Sequence, residues 1–195
     1  MSATAALAIL RQHQEVIQQL EGLLPDILSF AARLITCLDG GGTVLWMGNG
    51  GSAGDAQHLS AELIGRFQRE RRGLRSLALS TDTSLLTAVA NDYGFEQVFA
   101  RQVSALAGRG DVVVAISTSG SSRNVVKGAE AARAVGATVV ALTGAGGGQL
   151  RALSDLLLAV PSGVTARVQE AHILIGHLVC ELVDDHVAAR SQQGT

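Results

Sequence analysis

Two heptapeptides, DVVVAIS at 111–117 and ATVVALT at 137–143, are apolar at nearly every position. A strand with one wet face would alternate apolar and polar residues. These runs instead read as parallel strands covered on both faces. Counting them, short apolar runs bounded by Gly, Asp or Ser predict strands at 43–47, 75–79, 111–116, 138–143 and 155–160. Helical patterns alternate with them at 53–67, 83–90, 94–107, 121–135 and 165–188. Two amphipathic helices precede the series, at 4–20 and 25–38, parted near Gly22 to Pro25 where the proline can open the second. The alternation predicts a doubly wound α/β fold, a three-layer α/β/α sandwich around a five-stranded parallel sheet. The expected organisation is one domain over 1–195, with a helical extension at 1–40 and an α/β core at 41–190.

A chain of 195 residues can bury roughly 70% of the surface its unfolded form exposes, so it needs no disulfides or metal to fold. Aromatics make up 3% of the sequence, which leaves Ala, Val, Leu and Ile to fill the core. The net charge of −2 argues against nucleic acid as a partner. Arginines 66, 69, 71, 72 and 75 read as a solvated loop, or as a contact with an anionic ligand or neighbouring subunit. Cys37 and Cys180 lie in apolar helical patterns without metal spacing, as buried reduced thiols of a cytosolic protein do. No signal peptide is recognisable, and no apolar run approaches the roughly 20 residues that span a bilayer. The expectation is a soluble, cytoplasmic protein with no membrane partner.

In doubly wound sheets, ligands bind beyond the carboxyl ends of the strands. That rule selects the turn after Met47, the segment after Leu79 leading to Asn91 and Asp92, and the turn after Ile116. The last reads STSGSSRN. Ser117, Thr118, Ser119 and Ser122 can all donate to an oxyanion, Gly120 lets the backbone curl, and a helix N-terminus adds N–H groups. A phosphate monoester fits that turn; ordinary N-capping would need one hydroxyl, not four. GxxxxGK[ST] is missing, which excludes a nucleoside triphosphatase of that type. Gly48, Gly50 and Ala53 match G-x-G-x-x-A, but little chain remains for the substrate domain of a dehydrogenase.

After the first turn, His58 and Glu62 stand four residues apart, on one face of a predicted helix. The last helix offers Gln169, Glu170, His172 and His177. Gln169 and His177 lie on an i, i+4, i+8 row that drifts only about 80° around the axis, so both can face one cavity. His172 points about 140° away from His177 and reads as a hydrogen-bonded core residue.

GNGGSAGDAQHLSAELIGRF, TAVANDYGF, AISTSGSSRNVVKG and ARVQEAHILIGH, in this order, closely resemble the phosphoheptose isomerases of the sugar isomerase (SIS) domain family. The resemblance runs through nearly the whole chain. It implies the SIS fold and interconversion of sedoheptulose 7-phosphate with D-glycero-D-manno-heptose 7-phosphate, in heptose and lipopolysaccharide precursor biosynthesis. It places the phosphate on Ser117, Thr118, Ser119 and Ser122, and the sugar against Asn49, Gly50, Gly51, Ser52, Glu62, Asn91, Asp92 and Gln169. Glu62 and His177 match the family's acid–base pair. His58, Glu62, Gln169 and His177 match the positions that hold zinc in metal-containing members, implying one Zn²⁺ per subunit. Arg66 resembles an arginine kept near the site. A homotetramer is implied as well, with the first two helices used for packing between subunits.

The chain departs from some members in having no carboxylate between Pro161 and Glu170; Val164, Thr165 and Ala166 stand there. An assisting carboxylate is therefore missing from that position. The alternative is a non-catalytic SIS scaffold that binds the bacterial replication initiator. Such a scaffold lacks the equivalents of Glu62 and His177, which this chain has.

Overall fold

The computed structural model describes residues 2–193. Its strands are β1 (Val44–Gly48), β2 (Ser76–Ala78), β3 (Val112–Ile116), β4 (Thr138–Gly144) and β5 (Leu156–Val160). They form one parallel sheet in the order β2-β1-β3-β4-β5. The helices are α1 (Ala3–Gln19), α2 (Leu24–Asp39), α3 (Gly51–Ile64), α4 (Thr83–Tyr93), α5 (Val98–Leu106), α6 (Arg123–Ala134) and α7 (Thr165–Gln193). A doubly wound three-layer sandwich therefore forms, as the alternating pattern predicts.

Every residue of β1 and β3 is buried, and the side chains divide by the period of two. Val44, Trp46, Val112, Val114 and Ile116 join one core with α2, α3 and α7, whereas Leu45, Met47, Val113 and Ala115 join a second core with α5 and α6. Ile27, Phe30 and Leu34 from α2 are at most 2% exposed, so α2 is part of the layer covering the sheet. Leu24 and Leu28 are left outward on the same helix. α1 is tied to α7 by His13 Nδ1, 2.7 Å from Glu170 Oε2, and by the Arg167 guanidinium donating to the Ile9 carbonyl at 3.2 Å.

Helix limits differ from the sequence pattern in three places that affect the site. α4 runs on to Tyr93 and stops at Gly94, whose φ of +90° breaks the helix, so Asn91 and Asp92 are helical residues. α3 ends at Ile64 instead of 67, because Gly65 leaves helical geometry. α7 continues past 188 to Gln193.

Candidate active site

The strand order reverses direction between β1 and β3, and there two turns face each other across the carboxyl edge of the sheet. The first is Asn49 to Ser52. Gly50 takes φ 54° and ψ −120°, backbone open to glycine and little else. The Gln169 side chain of α7 lies against Gly51, with its amide nitrogen 2.6 Å from where a Cβ would stand. The turn is hooked to the second one by a reciprocal pair: Asn49 Nδ2 donates to Asn124 Oδ1, and Asn124 Nδ2 to Asn49 Oδ1, both at 2.8 Å.

In the second turn, Ser117 Oγ is 3.1 Å from Ser122 Oγ and 3.4 Å from Ser119 Oγ. Ser122 holds the N-cap position of α6, yet its hydroxyl makes no capping bond. The duller explanation of these serines as helix caps therefore does not hold for Ser122. The turn is braced from behind, with Gly144 N donating to the Thr118 carbonyl at 2.9 Å and Leu150 N to that of Gly120 at 3.0 Å. A cavity of about 580 Å³ runs from Asn49 past Ser122 and Asn124 to Tyr93 and Glu96. That is ample for a sugar phosphate.

His58 and His177 are 119 positions apart in the chain, but their Nε2 atoms lie 2.9 Å apart. Glu62 Oε1 is 3.4 Å from the same His58 nitrogen. Phe67, just beyond the end of α3, stacks on the His177 ring with centroids 5.6 Å apart. The fold thus brings Glu62, His58 and His177 into one cluster where α3 meets α7, and none of the three lines the cavity at the two turns. Asn91 and Asp92 are exposed, and the Asn91 amide donates to the Asp92 carboxylate at 2.8 Å. Among the described residues neither side chain bonds to a candidate beyond this pair.

No three His, Cys, Asp or Glu side chains among the described residues form a ready-made metal cage. The donors nevertheless suit zinc, with two imidazole nitrogens face to face and a carboxylate oxygen beside them. The 2.9 Å separation is that of a hydrogen bond, which the two imidazoles would give up on holding such an ion.

Sequence reasoning missed several groups. Asp55, one turn before His58, has a buried Oδ2 without a partner, and burial raises its carboxyl to about 6 against a smaller opposing pull from His58. The solvated-loop reading fits Arg66, which is 60% exposed, but not Arg71, whose side chain is 0% exposed. Arg71 Nε donates to Asp184 Oδ1 at 2.5 Å. His172 is the core residue anticipated, fully buried with Nε2 3.1 Å from the Thr143 carbonyl oxygen.

The SIS domain family model matches residues 10–144. The phosphoheptose isomerase of Geobacter metallireducens is 56% identical over 176 residues, spanning 90% of this chain and 93% of its own. The chain belongs to the SIS domain family, among the phosphoheptose isomerases. Two solved structures of the family superpose on nearly its full length. A phosphoheptose isomerase from Neisseria gonorrhoeae gives a TM-score of 0.89 at 44% identity, covering 93% of this chain and 98% of its own. One from Francisella tularensis gives 0.91 at 38% identity, covering 95% and 100%. None of these relatives supports the replication-scaffold alternative.

Proposed function

We propose that this enzyme interconverts sedoheptulose 7-phosphate and D-glycero-D-manno-heptose 7-phosphate in heptose biosynthesis, by proton transfer through an enediol. The observation that carries the mechanism is the cluster of His58, Glu62 and His177 where α3 meets α7, with Gln169 of α7 laid against the first turn. Ser117, Thr118, Ser119 and Ser122 hold the phosphate, aided by the N-terminus of α6. Asn49, Gly50, Gly51, Ser52 and Gln169 line the sugar, with Asn91 and Asp92 entering from the end of α4. Glu62 takes the proton from C1 of the ketose and returns it at C2. His177 gives a proton to the carbonyl oxygen at C2 and takes back the one lost from the C1 hydroxyl, which leaves the aldose. Imidazole suits that exchange near neutral pH.

His58, Glu62, Gln169 and His177 would hold one zinc ion per subunit. When bound, the ion supplies positive charge beside the developing enediolate. The chain assembles as a homotetramer in this reading, supported by the outward Leu7, Ile9 and Leu10 of α1 and Leu24 and Leu28 of α2. Buried free thiols at Cys37 and Cys180 suit a reducing cytoplasm, and among the described residues no helix is long and apolar enough to cross a membrane.

The test is incubation of purified protein with sedoheptulose 7-phosphate, following the aldose product with and without chelator and restored zinc. Aldose should appear with the wild type and not with Glu62→Gln. A folded wild-type protein that forms none under any of these conditions overturns the reading.

A further inference from the structure

The groups assigned to proton transfer sit on two helices, α3 and α7, that meet without a covalent or sheet link between them. Just past the end of α3, one buried ion pair joins the two. The side chains of Arg71 and Asp184 are 0% and 1% exposed. Arg71 donates to the carbonyls of Glu62 at 2.8 Å, Leu63 at 2.9 Å and Gly65 at 3.3 Å. Those are the carbonyls a helix leaves unpaired at its C-terminus, and the first belongs to Glu62 itself. Asp184 accepts from the backbone N–H groups of Gln68 at 2.9 Å and Arg69 at 2.7 Å. It stands seven residues after His177 on α7, two turns on and about 20° around, so it shares that face.

We propose that Arg71 and Asp184 are positioning residues for catalysis, fixing Glu62 relative to His177. Two connections carry the effect. Arg71 grips the last turn of α3, which holds Glu62. Asp184 ties down the segment after it, which lays Phe67 on the His177 ring. Neither residue touches the hydroxyl-rich turn, which is braced from β4. Burial, then the Glu62 charge, push the Cys180 thiol up to about 12, with Arg71 and Asp184 acting on it in opposite senses. Among the described residues the pair reaches Glu62 only through its carbonyl, and bonds neither its carboxylate nor the His177 ring.

The inference rests on the isomerase reading, and its test separates the two. Asp184→Asn keeps size but removes the charge that draws in Arg71 and two backbone N–H groups. The variant is compared with wild type for kcat, KM and the ring-nitrogen NMR signals of His177, with its fold checked by circular dichroism. The expected result is a kcat lower by about tenfold to a hundredfold, the scale of a misplaced catalytic group. KM should stay within about threefold, because the phosphate grip is untouched. The His177 signals should move. A folded Asp184→Asn with kcat within about twofold of wild type and unmoved His177 signals overturns the proposal. If that variant does not fold, Arg71→Lys decides, since it keeps the positive charge beside Asp184 but loses the fork that grips the α3 carbonyls: lower kcat with moved His177 signals supports the proposal, and kcat within about twofold of wild type overturns it. Should wild type fail to convert the sugar, the isomerase reading falls, while the His177 signals still report on positioning without substrate.

Discussion

The hydroxyls of the phosphate turn come from Ser117 to Ser122, one stretch between a buried strand and the helix it feeds. The acid–base cluster draws on α3 and α7, with 119 positions between its two imidazoles. The first is a local structure, shaped by the exit of β3 and braced by backbone bonds from the neighbouring strand. The second exists only because two helices dock, with Leu59 of α3 packed close against Gly176 of α7 and a buried ion pair and a stacked ring beside that contact. In the proposed reading, phosphate binding falls to a turn braced by backbone bonds, and proton transfer to a contact between two helices.

The sharpest way to break this division is to remove one function at a time. Glu62→Gln should lower kcat on the order of 10³-fold while leaving KM near its starting value, within the range typical of a lost general base. Steady-state kinetics with the ketose substrate measure this; a large rise in KM instead would assign Glu62 to binding. Ser122→Ala should do the reverse, raising KM by roughly tenfold, the size of one hydrogen bond to a charged group, with kcat nearly unchanged. Its hydroxyl caps nothing, so helix α6 should melt as before.

His172 joins the two regions, since it lies on α7 and reaches the carbonyl of Thr143, next to the Gly144 that braces the phosphate turn. Burial pushes its imidazole down from 6.5 to about 4, partly offset by that hydrogen bond. The folded value lies below the unfolded one, so unfolded chains take up the proton first as pH falls. The stability supplied by the neutral ring is complete above about 6.5 and is lost on the way down toward about 4. Denaturant melts across that window should show a loss of roughly 1.4 kcal/mol per pH unit from this group. His172→Gln should flatten the slope; an unaltered slope would move its origin elsewhere.

The smallest effect concerns the thiols. Burial pushes Cys37 to about 11 and Cys180 to about 12, so neither should react with a thiol reagent near neutral pH in the folded protein. Mass spectrometry of labelled Asp184→Asn should show faster modification of Cys180 with Cys37 unchanged. Equal acceleration at both would mean that the whole fold, not the α3–α7 contact, had loosened.

What could be read in advance follows the same division. The strands and the phosphate turn were legible because their signals are contiguous: unbroken apolar runs, then four hydroxyls at a helix start. His58 with Glu62 was legible as a helical spacing, but pairing them with His177 needed the family resemblance, since nothing local marks a contact between distant helices. Arg71 was illegible for the same reason. In sequence it is one arginine in a charged run, and only docking against Asp184 buries it. The early end of α3 was equally hidden, because Gly65 breaks the helix while Arg71 takes over the exposed carbonyls. Phe67, read as helical, is thereby released to meet His177.

The mutual amide exchange between Asn49 and Asn124 gives the site a chemical clock. Asn49 is followed by Gly50, whose backbone nitrogen can attack the Asn49 side-chain carbonyl and expel ammonia, leaving a cyclic imide that water opens to aspartate or isoaspartate. The aspartate so formed would face the Asn124 oxygen with an oxygen of its own, turning one of two attractions into a repulsion. Protein stored warm should therefore lose substrate affinity in step with mass-spectrometric conversion at position 49, long before its helices melt.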